Sequence, residues 1–316
     1  MKIVVLDGYT MNPGDLSWDP LERLGEFEVY DRTSLDQVIT RAAGAEVLLT
    51  NKTPITAEIL EQLPDVKFVG CMATGYNVID LDATRSRGIP VSNVPVYSTQ
   101  SVAQHVFAMV LSLHHLPQKH HDAIQDGRWK GDFSFTLQPF HELAGKTLGV
   151  VGYGRIGEAV GRLGSAFGMQ VKAYRRNPGE AASYQGFEWA KLDSVIAESD
   201  YLSIHCPQTE SNAGMVDAEF LKRMKPTAIL VNTARGGLVN EADLADALAN
   251  GIIAGACLDV VSVEPIQDDN PLLGAPNCLM TPHIAWSTVE ARTRLMQTTA
   301  ENVEAFQNGS PINVVN

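Results

Sequence analysis

Short apolar runs alternate with helical patterns along almost the whole chain. The runs have the length of strands, and the segments between them carry apolar residues at helical spacing. This alternation predicts parallel sheets with helices on both faces, which is the α/β class. The predicted strands form two series, a first at 2–6, 28–30, 46–49 and 67–70, and a second at 147–151, 170–174, 201–205, 228–232 and 253–259. Residues 278–280 are a further strand-like run.

The two series predict two domains. The second series opens with a glycine-rich turn, so we expect residues 100–286 to form a dinucleotide-binding domain. The helix-like segment 288–307 ends at the stop signal Asn308-Gly309-Ser310-Pro311 and is too short to be a domain. We therefore assign it to the first domain, which becomes discontinuous and comprises residues 1–99 plus 287–316.

The segment 101–115 is apolar nearly all round. A helix of this kind is expected to be buried. Because it lies at the predicted junction between the domains, it is also a candidate dimer interface.

Composition and charge exclude several classes of protein. Apolar residues make up 45% and charged residues 19% of the 316 residues, as in soluble globular proteins. The formal net charge of −13 gives no support to a nucleic-acid or anionic-membrane surface. The N-terminal apolar run meets Asp7 too early for a signal peptide. Four cysteines lie far apart without a CxxC pair, which favours a reduced cytoplasmic protein.

The turn Gly152-Tyr153-Gly154-Arg155-Ile156-Gly157 follows the strand at 147–151 and opens a helix at about 155–167. In this pattern the first glycine makes the tight turn, the second lets the backbone approach a pyrophosphate, and the third lets helix and strand pack closely. The free N–H groups at the start of the helix favour the phosphates. We therefore expect the turn, including Arg155 and Ile156, to bind a dinucleotide.

The strand after this helix runs into Arg175-Arg176. Selection of NAD normally uses an acid here to accept hydrogen bonds from the ribose 2′-hydroxyl, whereas an arginine can bind a 2′-phosphate. Arg175 therefore favours NADP(H). The alternative is that both arginines are solvated surface charges and that the enzyme uses NAD(H) or either cofactor.

Three charged residues carry the candidate chemistry: Arg235, Glu264 and His283. Arg235 follows a strand end, and its planar guanidinium suits a substrate carboxylate. A carboxylate such as Glu264 favours the charged form of a neighbouring imidazole, and a protonated His283 can give its proton to a developing alkoxide. The sequence does not show whether these two residues touch, since 19 positions separate them. Four further histidines, at 114, 115, 120 and 121, match no common zinc spacing, so no metal is expected.

With these motifs in place, the chain resembles the D-isomer-specific 2-hydroxyacid dehydrogenase family over essentially its whole length. The motifs that carry the resemblance are VVGYGRIG, NTARGGLV, LDVVSVEP and TPHIAW, and the segments MKIVVLDGYTMNPGDLSWD, LTNKTPIT and CMATGYNVID resemble its glycerate dehydrogenase (hydroxypyruvate reductase) branch. The resemblance implies two Rossmann-like, doubly wound parallel-sheet domains separated by a cleft, and a homodimer. It also implies that Arg235 binds substrate, that Glu264 is the acid partner and that His283 is the general acid/base.

Further roles rest on the resemblance alone. Thr74 and Gly75 fall where the family offers backbone N–H groups to the substrate carboxylate, and Asn51 and Lys52 lie on a nearby loop. Asp259 matches the residue that hydrogen-bonds the nicotinamide carboxamide, and Thr233 lies along the same cofactor. Trp286 follows His283 closely and either walls the substrate pocket or packs.

The resemblance implies NAD(P)H-dependent, reversible reduction of hydroxypyruvate and glyoxylate to the D-2-hydroxy acid. One alternative within the family is 3-phosphoglycerate dehydrogenase. A different class is the dinucleotide-sensing corepressors that share this fold and can keep the same residues.

Overall fold

The computed structural model describes residues 1–316, and the chain forms two compact units. The first comprises Met1–Ser98 and Ser287–Asn316, and the second comprises Thr99–Trp286. Each unit is built on one parallel sheet with helices around it, which confirms the predicted α/β class. No helix has both the length and the apolar character that a bilayer span needs.

In chain order the strands are β1 Lys2–Val5, β2 Glu26–Val29, β3 Val47–Thr50, β4 Phe68–Cys71, β5 Val91–Ser92, β6 Thr147–Val151, β7 Gln170–Tyr174, β8 Phe187–Trp189, β9 Tyr201–Ile204, β10 Ile229–Asn232, β11 Gly255–Leu258 and β12 Cys278–Met280. The helices are α1 Asp19–Glu22, α2 Val38–Arg41, α3 Ala57–Glu61, α4 Leu81–Ser86, α5 Thr99–His115, α6 Pro117–Gln125, α7 Arg155–Ala166, α8 Leu192–Glu198, α9 Ala218–Lys222, α10 Glu241–Ala249 and α11 Val289–Gln307.

The sheet of the first unit has the order β2-β1-β3-β4-β5, and all its strand pairs are parallel. Strands β3 and β4 are buried along their whole length, as expected of strands covered on both faces. The strand order reverses between β1 and β3. In open α/β sheets this switch point is where ligands bind, beyond the carboxyl ends of the strands.

Helix α11, from the end of the chain, packs against β4 and α1 of the first unit. Its buried positions include Leu295 and Val303, and Phe306 stacks on Phe68 with ring centroids 4.8 Å apart. Arg292 donates two hydrogen bonds to the Asp15 carboxylate, at 2.7 and 2.6 Å, and this contact lowers the pKa of Asp15.

The sheet of the second unit has the order β12-β11-β10-β9-β6-β7-β8, again with parallel pairs throughout. Strands β9, β10 and β11 are fully buried apolar runs, which explains why their sequences show no period-two alternation. Here the order reverses between β6 and β9. The glycine turn after β6 therefore lies at the switch point.

Most predicted strands are present, with their ends shifted by one or two residues. Two were missed: β5 has only two residues, and β8 is a three-residue edge strand that is partly exposed. The prediction that the apolar segment 101–115 is buried holds for much of α5, including Val102, Val106 and Val110, but not for the whole helix. Gln104, Ala108 and Ser112 form an exposed stripe at four-residue spacing, because the helix packs on one side against α7, β10 and β11.

Candidate active site

The residues with candidate chemistry follow three neighbouring strands of the second unit. Arg235 lies after β10, Asp259 and Glu264 after β11, and His283 after β12. Because the strands are parallel and adjacent, these loops all leave the same edge of the sheet. The fold itself therefore gathers side chains that are up to 48 positions apart in the sequence.

The Arg235 loop is held by a buried asparagine. The side chain of Asn232 accepts a hydrogen bond from the Ala234 N–H at 3.0 Å and donates to the Arg235 carbonyl at 2.9 Å. A Cβ on Gly236 would lie 1.9 Å from the Val261 carbonyl carbon, so the backbones of the two loops touch directly. The guanidinium donates to the Ala234 carbonyl at 2.7 Å and has no carboxylate partner in the chain. Its remaining N–H groups are open to an anion.

Glu264 and His283 form a hydrogen-bonded pair. Nδ1 of His283 lies 2.6 Å from Oε2 of Glu264, and both side chains are partly exposed. His283 adopts a left-handed backbone with φ of +54°, a conformation that non-glycine residues seldom take. Its N–H donates to the Asp259 carbonyl at 2.8 Å. The surrounding loop thus fixes the direction of the imidazole and leaves Nε2 without an ionic partner.

The glycine turn has the geometry that a pyrophosphate requires. Gly152 has φ of +94°, and a Cβ there would lie 2.4 Å from the Cys206 nitrogen. A Cβ on Gly157 would lie 2.6 Å from the Gly152 carbonyl oxygen, so α7 packs tightly on the turn. At Gly154 nothing lies within 4 Å of such a Cβ. The turn is therefore closed towards the sheet and open beside the first N–H groups of α7, at Arg155 and Ile156.

One further observation fits a bound dinucleotide. The buried hydroxyl of Thr233 has no hydrogen-bond partner within the chain, and it lies on the loop between Asn232 and Arg235. An unpaired buried hydroxyl is unfavourable unless a ligand satisfies it. The residues present therefore fit a dinucleotide: the turn would hold its phosphates, and the Thr233 hydroxyl would hydrogen-bond to it.

Arg175 and Arg176 are exposed at the end of β7. The Arg175 Nε–H donates to the carbonyl of Asn177, and its guanidinium carbon lies 5.9 Å from the centre of the Trp189 ring. Neither arginine has a carboxylate partner in the chain. The guanidinium of Arg175 is thus held by its own loop while its terminal N–H groups remain free.

His205 follows β9 at the switch point, and the residue is half-buried. Its N–H donates to the Val151 carbonyl at 2.7 Å, and Nε2 lies 2.8 Å from the Ser203 hydroxyl. Burial lowers the pKa of His205 to about 4, so the ring is neutral at neutral pH.

In the first unit two of the predicted substrate residues, Asn51 and Lys52, lie after β3 at the switch point. The Asp7 carboxylate, after β1, accepts hydrogen bonds from the backbone N–H groups of Asn51, Lys52 and Thr53. The buried side-chain oxygen of Asn51 has no partner, and the Lys52 side chain is exposed. Asp7 therefore fixes the shape of this loop.

The second predicted loop of the first unit follows β4. The Thr74 hydroxyl donates to the Val94 carbonyl at 2.8 Å, and the Thr74 carbonyl accepts from Asn93 at 2.7 Å. The N–H groups of Thr74 and Gly75 donate to no other group of the chain. They are free to bind a ligand.

Trp286 is the last residue of the second unit, and its side chain is half-buried. No cluster of His, Cys, Asp and Glu side chains has the arrangement of a metal site.

Sequence reasoning missed four residues that shape these loops, namely Asp7, His105, Asn232 and Thr281. Asp7 and Asn232 each stand at a strand end, which is a usable signal. His105 and Thr281 are brought together at 3.0 Å by the fold, and nothing local in the sequence indicates this contact.

Comparison with known proteins identifies the class. Residues 107–285 match the family described as "D-isomer specific 2-hydroxyacid dehydrogenase, NAD binding domain". The chain is 47% identical, over 321 aligned residues and the full length of both proteins, to a hydroxypyruvate reductase of Blautia hydrogenotrophica. It is 38% identical over 295 residues to a glycerate dehydrogenase of Methylorubrum extorquens, covering 92% of each chain.

A solved structure has the same fold. A structure described as an acyclic imino acid reductase in complex with NADPH and D-Arg superposes with a TM-score of 0.85. It is 30% identical to this chain and covers the full length of both.

Proposed function

Because the chain belongs to the D-isomer specific 2-hydroxyacid dehydrogenase family, we propose that it reduces hydroxypyruvate, and glyoxylate as a second substrate, to the D-2-hydroxy acid. The enzyme is an oxidoreductase that uses a nicotinamide dinucleotide. The observation that carries the proposal is the hydrogen-bonded pair of His283 and Glu264, 2.6 Å apart, on loops adjacent to that of an unpaired arginine.

His283 has the proposed role of general acid. The Glu264 carboxylate accepts from Nδ1, so the transferable proton is carried at Nε2. The carboxylate stabilises the imidazolium and fixes the orientation of the ring. In reduction, Nε2 gives its proton to the oxygen of the 2-oxo group; in oxidation, the neutral ring takes a proton from the hydroxyl.

Arg235 has the proposed role of substrate-binding cation. Its free N–H groups suit a bidentate contact with the substrate carboxylate, next to the carbonyl that is reduced. A positive charge fixed at this position also favours the transition state, in which negative charge develops on the carbonyl oxygen. When bound, NAD(P)H supplies the hydride, and the residues of the chain orient the acid and hold its charge.

The remaining predicted contacts belong to the same proposal. In the first unit, the free N–H groups of Thr74 and Gly75, together with Asn51 and Lys52, are proposed to bind the substrate. In the second unit, Asp259 and Thr233 are proposed to bind the cofactor, and Trp286 to contact the substrate.

For the cofactor we propose a preference for NADP(H) over NAD(H). The support is Arg175, whose terminal N–H groups have no partner, and its neighbour Arg176, in a chain with a formal net charge of −13. A ribose 2′-phosphate carries the charge and the acceptor oxygens that an unpaired guanidinium binds. The first five residues after β7, at positions 175–179, include no acid that would repel it.

We further propose that the protein is a cytoplasmic homodimer. All four cysteines are free thiols, which fits a reducing compartment. The exposed stripe of α5 consists of Gln104, Ala108 and Ser112. Two of these, Ala108 and Ser112, are small, and small residues on a helix allow a second helix to approach closely. Exposed aromatic rings at Trp129, Phe133 and Phe140, in the same unit, are typical of interaction surfaces.

The experiment that tests the proposal is the loss of absorbance at 340 nm with hydroxypyruvate, run in parallel with NADPH and NADH. We expect turnover with both cofactors and a higher kcat/KM with NADPH. Faster turnover with NADH would support the proposed reaction but contradict the proposed preference for NADP(H). Turnover of 3-phosphohydroxypyruvate alone would indicate a 3-phosphoglycerate dehydrogenase. Tight binding of NAD(P)H without turnover of any of these substrates would indicate a dinucleotide-sensing protein.

A further inference from the structure

The loop of residues 281–285, which carries His283, is wrapped around one buried carboxylate. Asp259 is 1% exposed, and it accepts hydrogen bonds from the Thr281 hydroxyl at 2.6 Å and from the N–H groups of Ile284 and Ala285, both at 2.8 Å. Its own carbonyl accepts from the His283 N–H. These contacts hold the left-handed backbone of His283 in place.

Helix α5 presents a stripe of side chains to the same loop. Ser101, His105 and Met109 are four residues apart, so they lie on one face of the helix. The Ser101 hydroxyl donates to the Ala285 carbonyl at 2.6 Å. Nε2 of His105 lies 3.0 Å from the Thr281 hydroxyl oxygen, and the Met109 sulfur lies 3.8 Å from the same oxygen.

The direction of these hydrogen bonds assigns a proton to His105. An ionised carboxylate only accepts, so the Thr281 hydroxyl donates its single hydrogen to Asp259. The hydroxyl oxygen must then accept from His105, whose Nε2 carries a hydrogen. His105 is also the one side chain capable of positive charge within 4.0 Å of the Asp259 carboxylate, at 3.6 Å.

We propose that His105 is a positioning residue of the reaction, which acts on His283 through Thr281 and Asp259. Its Nε2–H fixes the Thr281 hydroxyl, and its imidazole faces a buried carboxylate that otherwise meets only neutral donors. Without it, the Thr281 oxygen loses a donor and the 281–285 loop loosens around Asp259. The kinetic part of this inference rests on the proposed role of His283.

The kinetic test compares His105→Phe with His105→Gln. Loss of the donor in the Phe variant is expected to lower kcat about 10- to 100-fold, because small displacements of a catalytic group are costly. The KM for hydroxypyruvate should change little, since the Arg235 loop is not part of this network. The Gln variant retains an N–H donor and is expected to stay within about fivefold of the unmodified enzyme. His121, exposed on α6, provides the matched control with the same two substitutions.

A second measurement needs neither substrate nor cofactor. In amide hydrogen exchange on the unliganded chain, the Ile284 and Ala285 N–H groups should exchange about tenfold faster in His105→Phe, as for a weakened local hydrogen bond. Faster exchange here, with the rest of the second unit unchanged, would support the inference. If His105→Phe does not fold, histidine nitrogen NMR of the unmodified chain takes its place. The His105 signals are those that disappear in His105→Gln, and they must show a hydrogen on Nε2.

Four results would overturn the inference. They are an unchanged kcat in the Phe variant, a Gln variant that is no better than Phe, unchanged exchange at Ile284 and Ala285, and a His105 ring without hydrogen on Nε2. If the unmodified enzyme reduced no 2-oxo acid, the proposed function would fail, while the exchange experiment would still decide whether His105 holds the loop.

Discussion

At the scale of single residues, the side chains with chemistry are recognisable from the sequence, whereas the side chains that hold them are not. Arg235, Glu264 and His283 stand in motifs with charged groups beside glycine or proline. By contrast, Asn232 looks like the end of a strand, yet its amide closes the Arg235 loop from both sides. Such supporting roles depend on atoms that meet only in the folded chain.

Replacing the imidazole tests the proposed general acid. His283→Ala should lower kcat at least about 100-fold, because proton transfer to the carbonyl oxygen loses its donor. The Kd for NADPH, measured by fluorescence titration, should stay nearly the same, since the glycine turn is untouched. A variant that keeps its kcat would remove His283 from the mechanism.

Arg175 governs the proposed choice of cofactor. Arg175→Asp replaces the free guanidinium by an acid that repels a 2′-phosphate and can accept from a 2′-hydroxyl. The ratio of kcat/KM for NADPH over NADH should fall about 10- to 100-fold, the value of one or two charge-assisted hydrogen bonds. Arg23→Asp makes the same charge change on an exposed arginine of the first unit and should leave the ratio alone. An unchanged ratio in Arg175→Asp would show that the arginine is a surface charge.

At the scale of elements, buried strands were predictable because a strand covered on both faces is a continuous apolar run, as in β3 and β10. Short or edge strands such as β8 lack that signal. Helix α5 shows the opposite error. From a mostly apolar segment we could not predict that Ala108 is exposed or that the His105 ring contacts Thr281.

His205, which follows β9, is expected to make the free energy of unfolding depend on pH. The pKa of His205 is lowered to about 4 from an unfolded value near 6.5, so the ring contributes stability above pH 6.5 that is lost as pH falls towards 4. Between pH 7.5 and pH 5 this group alone should reduce the free energy of unfolding by about 2 kcal/mol. Urea unfolding at both pH values, followed by tryptophan fluorescence, should show a smaller loss in His205→Gln. His121→Gln, at an exposed site, should behave as the unmodified chain. Equal losses in all three would remove His205 as the cause.

At the scale of the whole molecule, the contacts hardest to predict join distant parts of the sequence. Arg292 reaches Asp15 across 277 positions, Ser101 reaches Ala285 across 184, and Asp7 organises the loop that begins 44 residues later. Local periodicity carries no information on such pairs, because each depends on which strands become neighbours. The order of motifs along the chain indicated the class of protein, but the partners of individual side chains required the fold.

The proposed homodimer makes a prediction at this largest scale. Ala108 lies in the middle of the exposed stripe of α5, where an arginine would place a long charged side chain between two close helices. Ala108→Arg should therefore convert a dimer, of twice the 34.3 kDa chain mass, to a monomer in light scattering coupled to size exclusion. Ala43→Arg, at an exposed position of the first unit, should remain dimeric. The opposite face of α5 carries Ser101 and His105, which contact the 281–285 loop. A monomeric Ala108→Arg with an unchanged unfolding midpoint would therefore show that the exposed face binds the second copy and that the inner face is undisturbed. A variant that stays dimeric would place the interface elsewhere.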